Sequence, residues 1–507
     1  MRDRKRGNKD AIESIWHSRQ SNPSLGINFN SAIRKANEVI DTNLASYNFK
    51  SEIRKSILDS VFSILGNGSD SVTTDDVLKY ITHRQMVENT VNLSSIIRDV
   101  LARESGKKTG TLIEIIPGNF SLKEKSKQVL GAYIIKRFES LGFDISTRGT
   151  IGLDNGYSKD GIRNLHSYSR TEKYISLRNL IEKKEDNLIN HFSNGNEIDL
   201  EKMDPRIEVV TSESWQNDLF RYATLLWSIP VSSGFGRRTR FLVWDKANKK
   251  LIGLFALGDP VFNLKCRDQW IGWNSLDREN RLYNVMDIFV LGAVPPYNQL
   301  LGGKLIAMLA ASTEVRKVIR NKYKGKRTII NGAKKDPELA LLTTASALGK
   351  SSIYDRIKYK DKLIYNLIGT SEGWGHFHFS NEIFEGIRKF ISIEHPNEAE
   401  KYKFGQGPNW KIRTIRQGLK DLGLNEDLLK HGIKREIYAV PLADNFREFL
   451  IDEDKTLRGI DLRVKEISTY FKERWLLSRA DRKPEFRDFD KRDIWRIIRE
   501  NGGVKHN

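Results

Sequence analysis

A chain of 507 residues, 39% of them hydrophobic, is long for one core and sets an expectation of two or three domains. Its formal charge of +20 exceeds what solubility requires and points to a polyanionic partner, DNA first, against the plainer alternative of a solvated basic surface. The lone Cys266 excludes an internal disulfide framework and a cysteine-cluster zinc site. No apolar run reaches the length of a membrane span, so a cytoplasmic protein with no membrane partner is expected.

Taken in order, residues 1–25 are polar and read as a flexible tail, and 26–150 as a mainly helical N-terminal domain. Within that domain, Ile33–Leu65 carries two amphipathic patterns ending at Gly66-Asn67-Gly68. Ser121 and Glu124 form a capping box for a helix Leu122–Leu141 that stops at Gly142. Gly149–Gly161 marks a boundary, followed over 151–205 by a charged helical connector whose basic residues include Arg163, Arg170, Lys173 and Arg178.

From Arg206 the pattern becomes mixed. A strand at Arg206–Thr211, a helix at Trp215–Trp227 and a hairpin Thr239–Trp244 with Leu251–Leu257 lead to the interruption Asp259–Arg281. Val285–Val294 is an apolar strand broken by Asp287 and Gly292 and ended by Pro295-Pro296; Gly302-Gly303 then opens a helix with apolar residues at helical spacing. Leu339–Ser346, Leu363–Ile368 and His376–Phe379 are further strand candidates, with a short helix at Ser351–Ile357. The final region, 396–507, is basic and expected to be α/β, with an amphipathic helix at Lys411–Gly423.

The segment Gln299-Leu-Leu-Gly302-Gly303-Lys304 resembles the pyrophosphate-binding turn of GNAT acyltransferases, with Lys304 standing where that family has a small residue. The element order over 206–395 is the order a GNAT fold requires. The expected class is therefore α+β: a central GNAT-like mixed sheet flanked by helices. That resemblance implies a coenzyme A thioester as cofactor on Gln299, Gly302, Gly303 and Lys304, and a tyrosine general acid at the position of Tyr354. The other reading of the glycines is close helix-strand packing, and of Tyr354 a buried structural tyrosine. Asp287, a carboxylate in an apolar strand, is a catalytic base or a satisfied structural acid.

Nucleic-acid contacts are expected from three stretches. Arg316, Lys317, Arg320, Lys322, Lys324, Lys326 and Arg327 belong to a run of nine basic residues, Arg316–Lys335, that contains no acid. Arg267, Trp270 and Trp273 suggest a base stacked between two rings with an arginine on its phosphate, or an architectural cluster together with Asp259 and Asp268. Lys411, Arg413, Arg416 and Lys420 line the polar face of the late amphipathic helix. His376 and His378, two apart, would share a strand face and reach a metal with Glu372 or Asp287, but acidic ligands are too sparse and no metal site is expected.

Several longer stretches carry a second resemblance. Leu219–Asp245, Leu251–Trp273 with its RDQWIGW run, Thr343–Ile357, Glu372–Phe379 and His431–Leu442 resemble the Druantia anti-phage system protein DruA family, over roughly 206–482. The resemblance implies a role in bacterial defence with other proteins of that system as partners. Three activities stand open: nucleic-acid engagement, acyl transfer from coenzyme A, and a non-catalytic scaffold.

Overall fold

The computed structural model describes residues 122–503, apart from 146–150, 154–157, 232–233, 235, 328–331, 336 and 396–409. Expectations for residues 1–121 lie outside this range. Two compact units divide the chain: one of 1–137, 381–405 and 413–424, the other of 138–380, 406–412 and 425–507.

In the first unit the described residues are helical, from the helices Leu122–Ser140, Asn381–Glu394 and Trp410–Leu422. They pack closely: a Cβ on Gly418 would fall 2.2 Å from Ile387, and one on Gly386 3.2 Å from Leu130. Polar ties join them as well, from Tyr133 to Glu382 (3.0 Å) and from His395 to Asp421 (3.1 Å).

The second unit is built on a seven-stranded sheet. Its strands are β1 (Pro205–Val209), β2 (Arg238–Asp245), β3 (Lys250–Gly258), β4 (Val285–Ala293), β5 (Leu341–Ala345), β6 (Asn366–Thr370) and β7 (Glu436–Pro441). The spatial order is β1-β2-β3-β4-β5-β7-β6. Every neighbouring pair is antiparallel except β4 with β5. The class is α+β, as the sequence predicts.

Covering both faces explains why β3 reads KLIGLFALG, nearly all apolar, rather than alternating. On one face Phe241, Val243, Ile252 and Phe255 pack under α4 (Gly302–Ala310) and α5 (Thr313–Tyr323). On the other, Leu242, Leu251, Leu254 and Val290 pack under α1 (Ser214–Ala223), the connector helices and the last helix, Asp493–Asn501. Two short helices, α2 (Lys265–Ile271) and α3 (Ser275–Arg281), fill the interruption before β4. The Asn274 side chain caps α3 by accepting from Leu276 and Asp277 amides at 2.8 and 3.0 Å.

Two predicted elements differ. His376–Phe379 is a turn closed by Phe379 N–H donating to His376 O at 3.1 Å, and the seventh strand comes instead from Glu436–Pro441, slotted between β5 and β6. The apolar alternation of HFHF arises because His378 sits among Phe138, Phe143 and Phe379 at ring distances of 4.8–5.5 Å. The helix expected at Ser351–Ile357 shrinks to the single 3-10 turn Tyr354–Arg356.

Candidate functional site

The lone parallel pair creates the first candidate site. β4 and β5 pair only over Val285–Asp287 with Leu341–Thr343; β4 then runs on to Ala293 without that neighbour, so the sheet parts just beyond Asp287. Thr343 donates its hydroxyl to Asp287 at 3.0 Å and Thr344 donates to Ile288 O at 2.9 Å. Asp287 keeps some access to solvent while being ringed by protein, and burial pushes its carboxyl up to about 6 against the opposing pull of Thr343 and of the Arg267 charge. Tyr354 shares a side-chain hydrogen bond with Thr344 and feels Asp287; burial pushes its phenol up to about 12. Its ring stacks on Tyr365 at 4.7 Å, and Tyr365 donates to Ala307 O of α4 at 2.8 Å. Asp287 and Tyr354, 67 residues apart in sequence, thus reach adjacent threonines of β5, Asp287 through Thr343 and Tyr354 through Thr344.

The corner before α4 is built differently from a bare phosphate cradle. Leu301 adopts a left-handed φ of 60°, and Gly302 N–H donates to Tyr297 O at 2.9 Å while Lys304 N–H donates to Leu301 O at 2.9 Å, so two amides expected to face a ligand are used inside the turn. Gly302 is required for packing, since a Cβ would lie 2.6 Å from Tyr297 O. Gln299 offers its carbonyl to Arg479 at 2.9 Å. Lys304 places its amine 4.7 Å over the Trp475 ring; burial, then Arg356 and Arg474, lower its pKa. What surrounds the corner is a cluster of cationic side chains.

The first part of the basic run, Arg316–Tyr323, lies on α5, which follows α4 instead of opening at the corner itself. Much of the run is committed to the fold. Arg316 donates to Leu442 O and Ile460 O, Arg320 pairs with Glu338 at 2.7 Å, Lys322 donates to Arg238 O, Arg327 to Gly332 O, and Lys335 to Glu279 O and Asn280 O. Lys317, Lys324 and Lys326 are exposed.

Lys322 leads to a group of cations gathered from four elements. Burial, then Arg221 and Arg240, lower the pKa of Lys173; burial, then Arg238 and Arg221, lower that of Arg240; burial, then Lys326 and Arg240, lower that of Lys322. Lys322 donates to Arg238 O at 2.7 Å and Arg240 to Asn217 of α1 at 3.1 Å, so that Lys173, Arg221, Arg238, Arg240, Lys322 and Lys326 form a cationic ridge along one end of the sheet. Asp218, 3.8 Å from Arg221, is also held at 2.6 Å by Lys184, so its charge is shared between the two. Sequence reading missed the arginines of α1 and β2. The signal was there in Arg238-Thr239-Arg240, whose period of two sends both guanidinium groups to one face.

The tryptophan cluster is architectural. Arg267 is fully buried, donating to Asp268 at 2.7 and 2.8 Å and to the carbonyls of Val261 and Phe262 at 2.8 and 2.9 Å, so it cannot reach a phosphate. Trp273 donates to Leu450 O, and Trp270 stacks on Phe446 at 5.1 Å under Arg447, leaving no slot for a base between the two tryptophans. Asp259 pairs with Arg237, not with Arg267. On the helix Trp410–Leu422, Thr414, Ile415, Gly418, Leu419 and Leu422 are buried, Arg413, Arg416 and Lys420 exposed and Lys411 half-buried, the amphipathic division the sequence gives.

His378 donates from Nε2 to Leu428 O at 2.7 Å and lies 5.8 Å from His431. With His166 these rings are buried, and burial holds all three down to about 3. Among the described residues no group of three or more His, Cys, Asp or Glu is placed to hold a metal ion, and no helix is long and apolar enough to cross a membrane.

Together these features define an α+β protein whose mixed sheet parts beside the Asp287 carboxylate and carries a cationic ridge at one end. The family model described as Druantia protein DruA matches residues 156–452. The Druantia protein DruA of Escherichia coli (strain UMEA 4076-1) is 42% identical over 385 residues, which cover 75% of this chain and 93% of that relative. The chain belongs to the DruA family.

Proposed function

We propose that this protein is a Druantia-type anti-phage component that works in the cytoplasm with other proteins of its system and engages DNA through a GNAT-like core. Family membership supports the defence role. The strand order β1-β2-β3-β4-β5-β7-β6 with β4–β5 as the sole parallel pair supports the GNAT-like reading of the core. The observation that carries DNA engagement is the ridge itself: Arg238 and Arg240 on one strand, with Lys322 on Arg238 O and Arg240 on Asn217 of α1, gather cations that a polyanion would neutralise. Each phosphate neutralised adds a salt-sensitive increment to binding.

The test is anisotropy of labelled duplex DNA on the full chain across a sodium chloride series. The logarithm of the association constant should fall linearly with log salt, and the triple variant R221E/R240E/K326E should flatten that slope by about 0.9 for every phosphate it leaves unneutralised. A wild-type affinity indifferent to salt sinks the reading.

A second reading rests on the parting of β4 and β5 over Asp287 and Tyr354: a coenzyme A thioester bound there for acyl transfer. It requires that acetyl-coenzyme A raise Tm in the wild type. No shift at millimolar ligand removes it and leaves the first reading intact.

A further inference from the structure

The loop between β3 and α2 exposes two large apolar side chains, Val261 at 55% and Phe262 at 54%. Exposed apolar residues are ordinary one at a time. These two are held in place at unusual expense. Arg267, fully buried, donates to both of their carbonyls, and Asp268 receives Arg267 on one oxygen and Arg278 on the other at 3.0 Å. Arg278 in turn lies 4.9 Å over the Phe262 ring. A buried ion network fixes the backbone so that the two side chains project outward, which a core-seeking loop would not do.

Cations reach its surroundings, where Asp259 is paired with Arg237 and Asp268 with Arg267 and Arg278. Gly258, at the end of β3, pairs with Arg238 of the ridge. Lys322 reaches Arg238 O, and Lys335 reaches the carbonyls of Glu279 and Asn280 on α3, the helix that carries Arg278. The wedge and the ridge therefore share one end of the sheet. Apolar tips in a positive frame suit a ligand with phosphates outside and flat apolar faces within.

We infer that Val261 and Phe262 form a wedge that enters a DNA base step while the neighbouring cations hold the backbone. This rests on the DNA-binding reading above and adds what the wedge does there: it unstacks bases. Arg267 is a positioning residue here, acting through the two carbonyls.

Wild type and Phe262→Ala are titrated against a thymine-containing duplex in a salt series, and the bound duplex is probed with permanganate, which oxidises unstacked thymines. Wild type should bind and make thymines at one step hyperreactive. Phe262→Ala should lose roughly ten- to hundredfold in affinity, the range for one stacked base, with the salt slope unchanged and the hyperreactivity gone. Phe262→Trp should keep both. Salt-dependent binding with equal affinity and footprint in Phe262→Ala overturns the wedge and leaves DNA engagement standing. Loss of salt-dependent binding by the wild type overturns both.

Discussion

At the scale of single residues, Asp287 and the buried histidines pull stability in opposite directions with pH. Asp287 titrates near 3.8 in an unfolded chain and at about 6 here, so its favourable contribution is present below 3.8 and is lost as pH rises through 6. Asp287→Asn keeps an acceptor for the Thr343 hydroxyl and removes the buried charge. It should stabilise the protein by about 3 kcal/mol at pH 7.5 and by less than about 1 kcal/mol at pH 4, compared by denaturant titration. Equal midpoints at pH 7.5 would mean that the ionised carboxylate is not penalised. His166, His378 and His431 have folded pKa values of about 3 against 6.5 unfolded, so their contribution is complete above 6.5 and is drained as pH falls toward 3. Between pH 7 and 5 three histidines outweigh one aspartate, by several kcal/mol against about 1. Tm should therefore drop over that interval, with net proton uptake on unfolding. A Tm that rises on acidification to pH 5 contradicts this.

At the scale of elements, the fit of β3, β4 and α4 sets the positions of both candidate sites. Gly253 of β3 faces Gly292 so closely that a Cβ would sit 2.4 Å from Gly292 O and 3.0 Å from Ile306 of α4. Backbone cannot yield as a side-chain tip can, so Gly253→Ala should cost about 2–3 kcal/mol, measured by urea unfolding. A loss under about 0.5 kcal/mol would show that the strands separate easily there. Sequence made most of this layer legible. β2, β3, β4 and α4 announce themselves by apolar runs, the double proline and the double glycine, and Asp287 by its place inside an apolar strand. The partners were not legible, because Thr343 reaches Asp287 across a crossover of 56 residues that no local pattern encodes. For the same reason β7 was hidden: EIYAVP lies 66 residues beyond β6, behind the inserted helices, while HFHF nearby offered a false alternation. Charge counting misled in a third way. It singled out Arg267, Arg316 and Lys335, whose donors are taken by backbone carbonyls and, for Arg267, by Asp268 as well, and it overlooked Arg221, isolated in sequence, and Arg240, whose place two residues after Arg238 was the signal to follow.

Across the whole molecule a net charge of +20 opposes the compact state, and the ridge concentrates that opposition on a few groups. Two agents can relieve it, and they act differently. Mobile salt screens exposed charges over about 8 Å at physiological ionic strength, so the free protein should gain Tm as sodium chloride rises from about 20 to 300 mM. A DNA duplex stabilises by occupying the folded form alone, by RT ln(1 + [L]/Kd), and that gain shrinks as salt weakens Kd. The two curves should consequently converge: a large DNA-induced shift at low salt, falling toward zero at the top of the range, on a baseline that climbs. In R221E/R240E/K326E the baseline should be flatter, because less repulsion remains to be screened, and the DNA shift smaller at every salt concentration. Thermal unfolding of both proteins with and without duplex, over that salt range, decides the matter. A DNA shift that persists undiminished at the highest salt would assign binding to groups other than phosphate, and a baseline that falls with salt would place the dominant electrostatics in the ion pairs rather than in the ridge.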